Sequence, residues 1–155
     1  MKPRDMVQLL REQEQLATLD DEQLGTLAGC AQLTVRRAGT VLAREGSPSD
    51  SFFVVRAGLV AVEAHGPASN VTVDTAGPGE LVGWSWLYPP HRWVFDVRCV
   101  TDCRLIVVDG ACIRAKCEAD TGFGYRLMTC FSAVMVDRLT SARVRLLDLY
   151  GGGAP

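Results

Sequence analysis

A chain of 155 residues, 48% of them apolar and 22% charged, has the composition of an ordinary globular protein and the length to bury one full core. That excludes a disordered chain, and no apolar run approaches the roughly 20 residues that cross a bilayer. A formal net charge of −2 and a pI near 5.7 argue against a dedicated nucleic-acid binder, which needs a basic face to displace phosphate counterions. One domain is expected over residues 1–155, with N-terminal helices to about residue 31, a β-roll over 32–109 and C-terminal helices over 110–150.

The first stretch is charged and helix-patterned rather than signal-like. Met6, Leu9, Leu10 and Leu16 recur among charges from Arg4 to Leu16, and Leu24, Leu27 and Ala28 form one stripe between Asp20 and Ala31. Two short helices follow from this spacing. Asp20 or Asp21 is placed to cap the second, and Glu22 adds negative charge to its first turn.

From Leu33 to Asp109 the period changes. Short apolar runs recur at Thr40–Ala43, Phe52–Val55, Leu59–Val62, Val71–Val73, Val94–Val97 and Leu105–Val108. Between them stand Gly39, Gly46-Ser47-Pro48, Gly58, Gly66-Pro67 and Gly77-Pro78-Gly79, the residues that supply turns. Many short strands at this spacing predict an antiparallel roll of jelly-roll type, mainly β with flanking helices. Gly66–Asn70 reads as a hairpin tip.

After Gly110 the strand pattern stops. From about Gly122 to Tyr150, Phe131, Met135, Leu139, Ala142, Leu146 and Leu149 are spaced four, four, three, four and three, a near-heptad stripe on one long helix. The stripe either packs on the roll or pairs with a second copy of the chain. Its length favours a homodimer.

Six cysteines, at positions 30, 99, 103, 112, 117 and 130, lie in apolar or helical segments of a chain that needs no disulfide staples. They are read as reduced thiols in the cytoplasm. Cys99 and Cys103 are placed four apart on one strand, and no pair has the CxxC spacing of a zinc site. No metal and no cofactor is expected.

The ordered set Gly39-Thr40-Val41-Leu42, Arg44 through Val55, Gly58 through Val62, Gly79-Glu80-Leu81-Val82-Gly83, Val97 through Cys103, and Leu127-Met128 through Asp137-Arg138-Leu139 resembles the cyclic nucleotide-binding domain family over nearly the whole chain. The resemblance implies a ligand-binding regulatory β-roll with helices before and after it. It also implies a phosphate-binding cassette made of a glycine, a ribose-binding glutamate, a short helix with free N–H groups and an arginine. Helix N–H groups and an arginine fork suit a phosphate.

Here the glycine matches Gly83, but Trp84 stands at the glutamate position and Trp93 at the arginine position. An indole offers one N–H donor and no charge, so it replaces neither. A gap in the loop Tyr88-Pro89-Pro90-His91-Arg92 would let Arg92 take the phosphate instead. The segment from Gly83 to Asp96 holds all three tryptophans and resembles a tryptophan-rich group of stand-alone bacterial domains of this family.

The resemblance marks Val73, Gly83, Trp84, Ser85, Trp86, Arg92, Trp93, Phe95 and Arg143 as ligand-facing. Two readings stand for the indoles: a box that stacks on a planar ligand, nucleotide-like or aromatic, or plugs that fill an empty pocket. Ser85 either donates to a ligand or caps the short helix. Asp96 needs a partner, with Arg98 and Arg92 the candidates, and a one-residue offset would turn Arg143 to solvent.

Catalysis is not expected. Of the two histidines, His65 and His91, neither forms the HxH pair of a cupin metal site, and no GxSxG elbow occurs. The sequence ends without a helix-turn-helix, so direct DNA binding is not expected, and any output would pass through a partner protein. The function expected is a non-catalytic small-ligand sensor with an altered cassette. The alternatives are a dimeric scaffold that has lost its ligand, or a true cyclic nucleotide binder that uses Arg92.

Overall fold

A computed structural model describes residues 3–151. Helix α1, Pro3–Arg11, buries Met6 and Leu10, four residues apart on one face. It ends earlier than its apolar pattern suggests because the chain tightens into a 3-10 turn, Glu14–Leu16, whose Gln15 N–H donates to the Gly79 carbonyl at 3.2 Å. A contact with a distant turn thus overrides local periodicity. Helix α2, Asp21–Ala28, opens as expected: the Asp20 carboxylate accepts the Gln23 N–H at 2.8 Å, and the Gln23 side chain accepts the Asp20 N–H at 2.9 Å.

Eight strands follow: β1 Ala31–Arg36, β2 Val41–Ala43, β3 Ser51–Ala57, β4 Val60–His65, β5 Asn70–Ala76, β6 Leu81–Val82, β7 Asp96–Cys99 and β8 Cys103–Asp109. They form two antiparallel four-stranded sheets in the orders β1-β8-β3-β6 and β2-β7-β4-β5. The expected roll is present. Strands β1 and β6 escaped the apolar-run reading because β1 is largely exposed at a sheet edge and β6 has only two residues. Val94 and Phe95 lie in a loop rather than in a strand.

Strand β3 explains how the core is divided. Its alternate side chains point to opposite faces. Phe52 and Val54 join Ile106, Val108 and the helices in one apolar cluster, whereas Phe53 and Val55 join Val60, Val97 and Leu105 inside the roll. Burying each such side chain is worth about 1.5–3 kcal/mol, so β3 anchors both layers.

Helix α3, Gly110–Ala119, is capped by the Asp109 carboxylate, which accepts the Cys112 N–H at 3.0 Å. Helix α4, Thr121–Gly151, buries Phe123, Leu127, Cys130, Phe131 and Val134 in its first half. Beyond Val134 its apolar side chains are increasingly exposed, including Leu146 at 51% and Leu149 at 77%.

The cysteine reading needs correction. Cys30 and Cys112 form a disulfide across a sequence separation of 82 residues. The fold sets the end of α2 beside the first turn of α3 with the two Cα atoms 5.9 Å apart, inside bridging range. Cys99, Cys103, Cys117 and Cys130 are free thiols. Cys99 ends β7 and Cys103 opens β8, so the two lie on consecutive strands rather than on one. Burial, then the neighbouring Cys103, pushes the Cys99 thiol up to about 12. Among the described residues no helix is long and apolar enough to cross a membrane.

Candidate functional site

The second sheet and the middle of α4 enclose a cavity of about 400 Å3. Val62 and Val97, paired across β4 and β7, line it together with Val73 and Asp74 of β5 and Val82 of β6. The segment after β6 adds Gly83, Trp84 and Ser85, and the loop before β7 adds Trp93, Val94 and Phe95. Helix α4 closes one side with Met135, Arg138, Leu139, Ala142 and Arg145.

Gly83 is what lets two of these segments meet. Its φ is +99°, and a Cβ there would lie 2.5 Å from Cη2 of Trp93. Glycine therefore serves both a left-handed turn and a close approach to an indole. Trp93 in turn stacks beside Phe53, with ring centroids 6.2 Å apart and planes 26° from parallel.

The three tryptophans separate. Trp84 and Trp93 line the cavity, but Trp86 does not: it is fully buried in the other apolar cluster, stacked on Phe52 at 5.1 Å and edge-on to Phe131 at 5.3 Å. Its indole N–H donates to the Gly83 carbonyl at 3.2 Å, so the polar end is satisfied without a ligand. The 3-10 turn Ser85–Leu87 directs consecutive side chains to different sides, which divides Ser85 from Trp86. Trp84 occupies the cap position of that turn with no side-chain cap bond, so Ser85 faces the cavity rather than capping.

Two of the expected arginines lie elsewhere. Arg92 is exposed, and its guanidinium donates to the Gly46 carbonyl at 2.8 Å outside the cavity. Arg143 is exposed and does not line the cavity either, because the helix turns it away from the face that carries Arg138, Ala142 and Arg145. Residues four and three apart share that face. Asp74, Arg138 and Arg145 are site residues that sequence reasoning missed, although stepping by four and three from Arg138 would have found Arg145.

Arg138 is heavily engaged. It pairs with Asp74, lies 3.6 Å from the Glu80 carboxylate and donates to the Leu81 carbonyl at 3.1 Å. Two carboxylates neutralise it in place. Arg145 makes a single bond, from its guanidinium to the Val73 carbonyl at 2.6 Å.

Asp96 has partners other than the arginines expected for it. Its carboxylate accepts the Glu45 N–H at 2.7 Å and lies 3.1 Å from Nε2 of His65, while Arg98 pairs with Glu63. The Glu45 N–H bond holds the Asp96 carboxyl below its ordinary value, against the opposing effect of burial and with help from His65. The fork from Arg98 to Glu63, at 2.9 and 3.1 Å, raises the Arg98 pKa. The Asp96–His65 and Arg98–Glu63 pairs thus join β7 to β4.

Comparison with known proteins agrees with this architecture. A putative cyclic nucleotide-binding protein from Geobacter metallireducens superposes with a TM-score of 0.76 at 27% identity, over 90% of this chain and 98% of that one. A cyclic nucleotide-binding domain from Methylobacillus flagellatus gives 0.78 at 14% identity over 94% and 82% of the two chains. The N-terminal domain of a Streptomyces coelicolor transcriptional regulator gives 0.68 at 22% identity over 86% and 94%. A search of curated proteins finds no match. The family model described as the cyclic nucleotide-binding domain matches residues 34–120, more than half of the sequence, and the chain therefore belongs to the cyclic nucleotide-binding domain family.

Proposed function

We propose that this protein is a non-catalytic sensor whose cavity takes a small, largely apolar or aromatic molecule in place of a cyclic nucleotide. The observation that carries the reading is the state of Arg138. It is the arginine set deepest in the cavity wall, and its charge is already balanced by Asp74 and Glu80. A cyclic phosphate entering there would meet no unneutralised guanidinium beside Gly83, and Trp84 supplies no carboxylate for a ribose. Apart from Asp74, Ser85, Arg138 and Arg145, the lining is mostly valine, methionine, leucine and the side chains of Trp84, Trp93 and Phe95. Such surfaces bind by burial and stacking.

Helix α4 supplies the proposed dimer contact. Met135, Leu139 and Ala142 contribute to the cavity wall, and the same heptad stripe continues through exposed Leu146 and Leu149. A partner copy is the simplest cover for that continuation.

The test is a thermal-shift and calorimetry series with cyclic AMP, cyclic GMP and a panel of neutral aromatic and aliphatic compounds. Cyclic nucleotides should give no shift, and at least one apolar compound should stabilise the fold. At 100 times its dissociation constant a ligand adds about 2.7 kcal/mol. Trp84→Ala should weaken that compound's binding more than it lowers stability. Micromolar binding of either cyclic nucleotide would overturn the reading, and silence from the whole panel would favour a scaffold.

A further inference from the structure

The two arginines of the cavity differ in charge balance, and that difference points to a ligand class. Arg138 has two carboxylates within salt-bridge range, Asp74 and Glu80. Arg145 has none among the described residues; its guanidinium makes one bond, to the backbone carbonyl of Val73. It is solvent-exposed yet lines the cavity, so its charge sits where the apolar chamber meets water. A guanidinium carries five N–H donors in a planar fork. One is used here, which leaves the fork open to an incoming acceptor.

We propose that the cavity selects an amphiphilic monoanion: an apolar body, aromatic or acyl, held against Val62, Trp84, Trp93 and Leu139, with one carboxylate at the rim paired to Arg145. This rests on the reading of the cavity as an apolar ligand site and adds the head group. A carboxylate suits a single guanidinium, because one fork supplies two parallel donors and one charge. A dianionic phosphate monoester would need a second cation, and the other cavity arginine, Arg138, is already committed; a cyclic phosphodiester, itself a monoanion, is disfavoured because Trp84 offers its ribose no carboxylate. Asp74, which also lines the chamber, disfavours a second negative charge deeper inside.

The experiment uses three matched pairs: octanoate, phenylacetate and 1-naphthylacetate, each with its neutral primary amide. Dissociation constants are measured by tryptophan fluorescence and calorimetry on the wild type, Arg145→Gln and Arg145→Lys. Arg145 is exposed, so both substitutions should leave the melting temperature in place. For at least one pair the acid should bind about tenfold more tightly than the amide, the gain of a charge-assisted bond at a partly screened rim. Arg145→Gln should abolish that difference by weakening the acid alone, and Arg145→Lys should restore part of it. If an acid and its amide bind equally well and Arg145→Gln alters neither, the head-group proposal is overturned and the apolar-cavity reading stands. If none of the six compounds binds, both are overturned.

Discussion

At the scale of single residues, Gly83 and Asp96 carry the sharpest predictions. Gly83→Ala forces a side chain into a φ of +99° and drives its Cβ against the Trp93 ring. The backbone strain alone should cost roughly 1–3 kcal/mol. The variant should melt lower, and Trp93 emission should change as the ring moves; unchanged stability and emission would mean the contact is not made in solution. Asp96 predicts a pH dependence. Its folded pKa lies below the ordinary 3.8, so its contribution to stability is complete above that value and is lost as pH falls through the lowered one. Asp96→Asn should therefore destabilise the protein at neutral pH, with the gap from wild type closing as pH falls below the ordinary carboxylate range, as followed by urea titration at each pH.

Among the elements, α3 stands out because three unrelated constraints converge on it. The disulfide ties its first turn to the end of α2, Gly110 packs where a Cβ would lie 2.9 Å from Cβ of Trp86, and Arg114 donates to the Trp86 carbonyl at 2.5 Å. It is thereby linked to the turn that presents Trp84 and Ser85. Opening a bridge that closes an 82-residue loop should remove about 4.5 kcal/mol by the chain-entropy account. Cys30→Ser with Cys112→Ser, or reduction by a dithiol, should lower stability by that order. Mass spectrometry of the alkylated protein checks the premise: six modified cysteines without reductant would show that the bridge is not formed.

For the whole molecule, the question is what covers the second half of α4. Replacing Leu146 and Leu149 with asparagine, which adds no charge one turn from Arg145, should convert a dimer to monomers in sedimentation without altering ligand affinity, because neither side chain lines the cavity. Met135 and Leu139 are poorer choices, since both belong to the cavity wall and would confuse assembly with binding. A wild-type protein that sediments as a monomer at micromolar concentration would leave the stripe without a partner copy.

The amino-acid sequence by itself determined the order of elements, the glycine turns between strands, a cap at Asp20 or Asp21 and the tryptophan that follows Gly83. These are local properties, written in period, turn chemistry and motif order, and local physics suffices to read them. It also located the cavity's aromatic segment, but it grouped three tryptophans that the fold separates. Only the tertiary structure decided that Trp86 belongs to the helical core, that Arg145 rather than Arg143 faces the cavity, that Arg138 is neutralised by Asp74 and Glu80, and that Cys30 meets Cys112. Each depends on groups far apart in sequence. Periodicity says which face of an element is apolar; it does not say which element comes to lie against it, and a charge or a thiol is defined by the partner that arrives there.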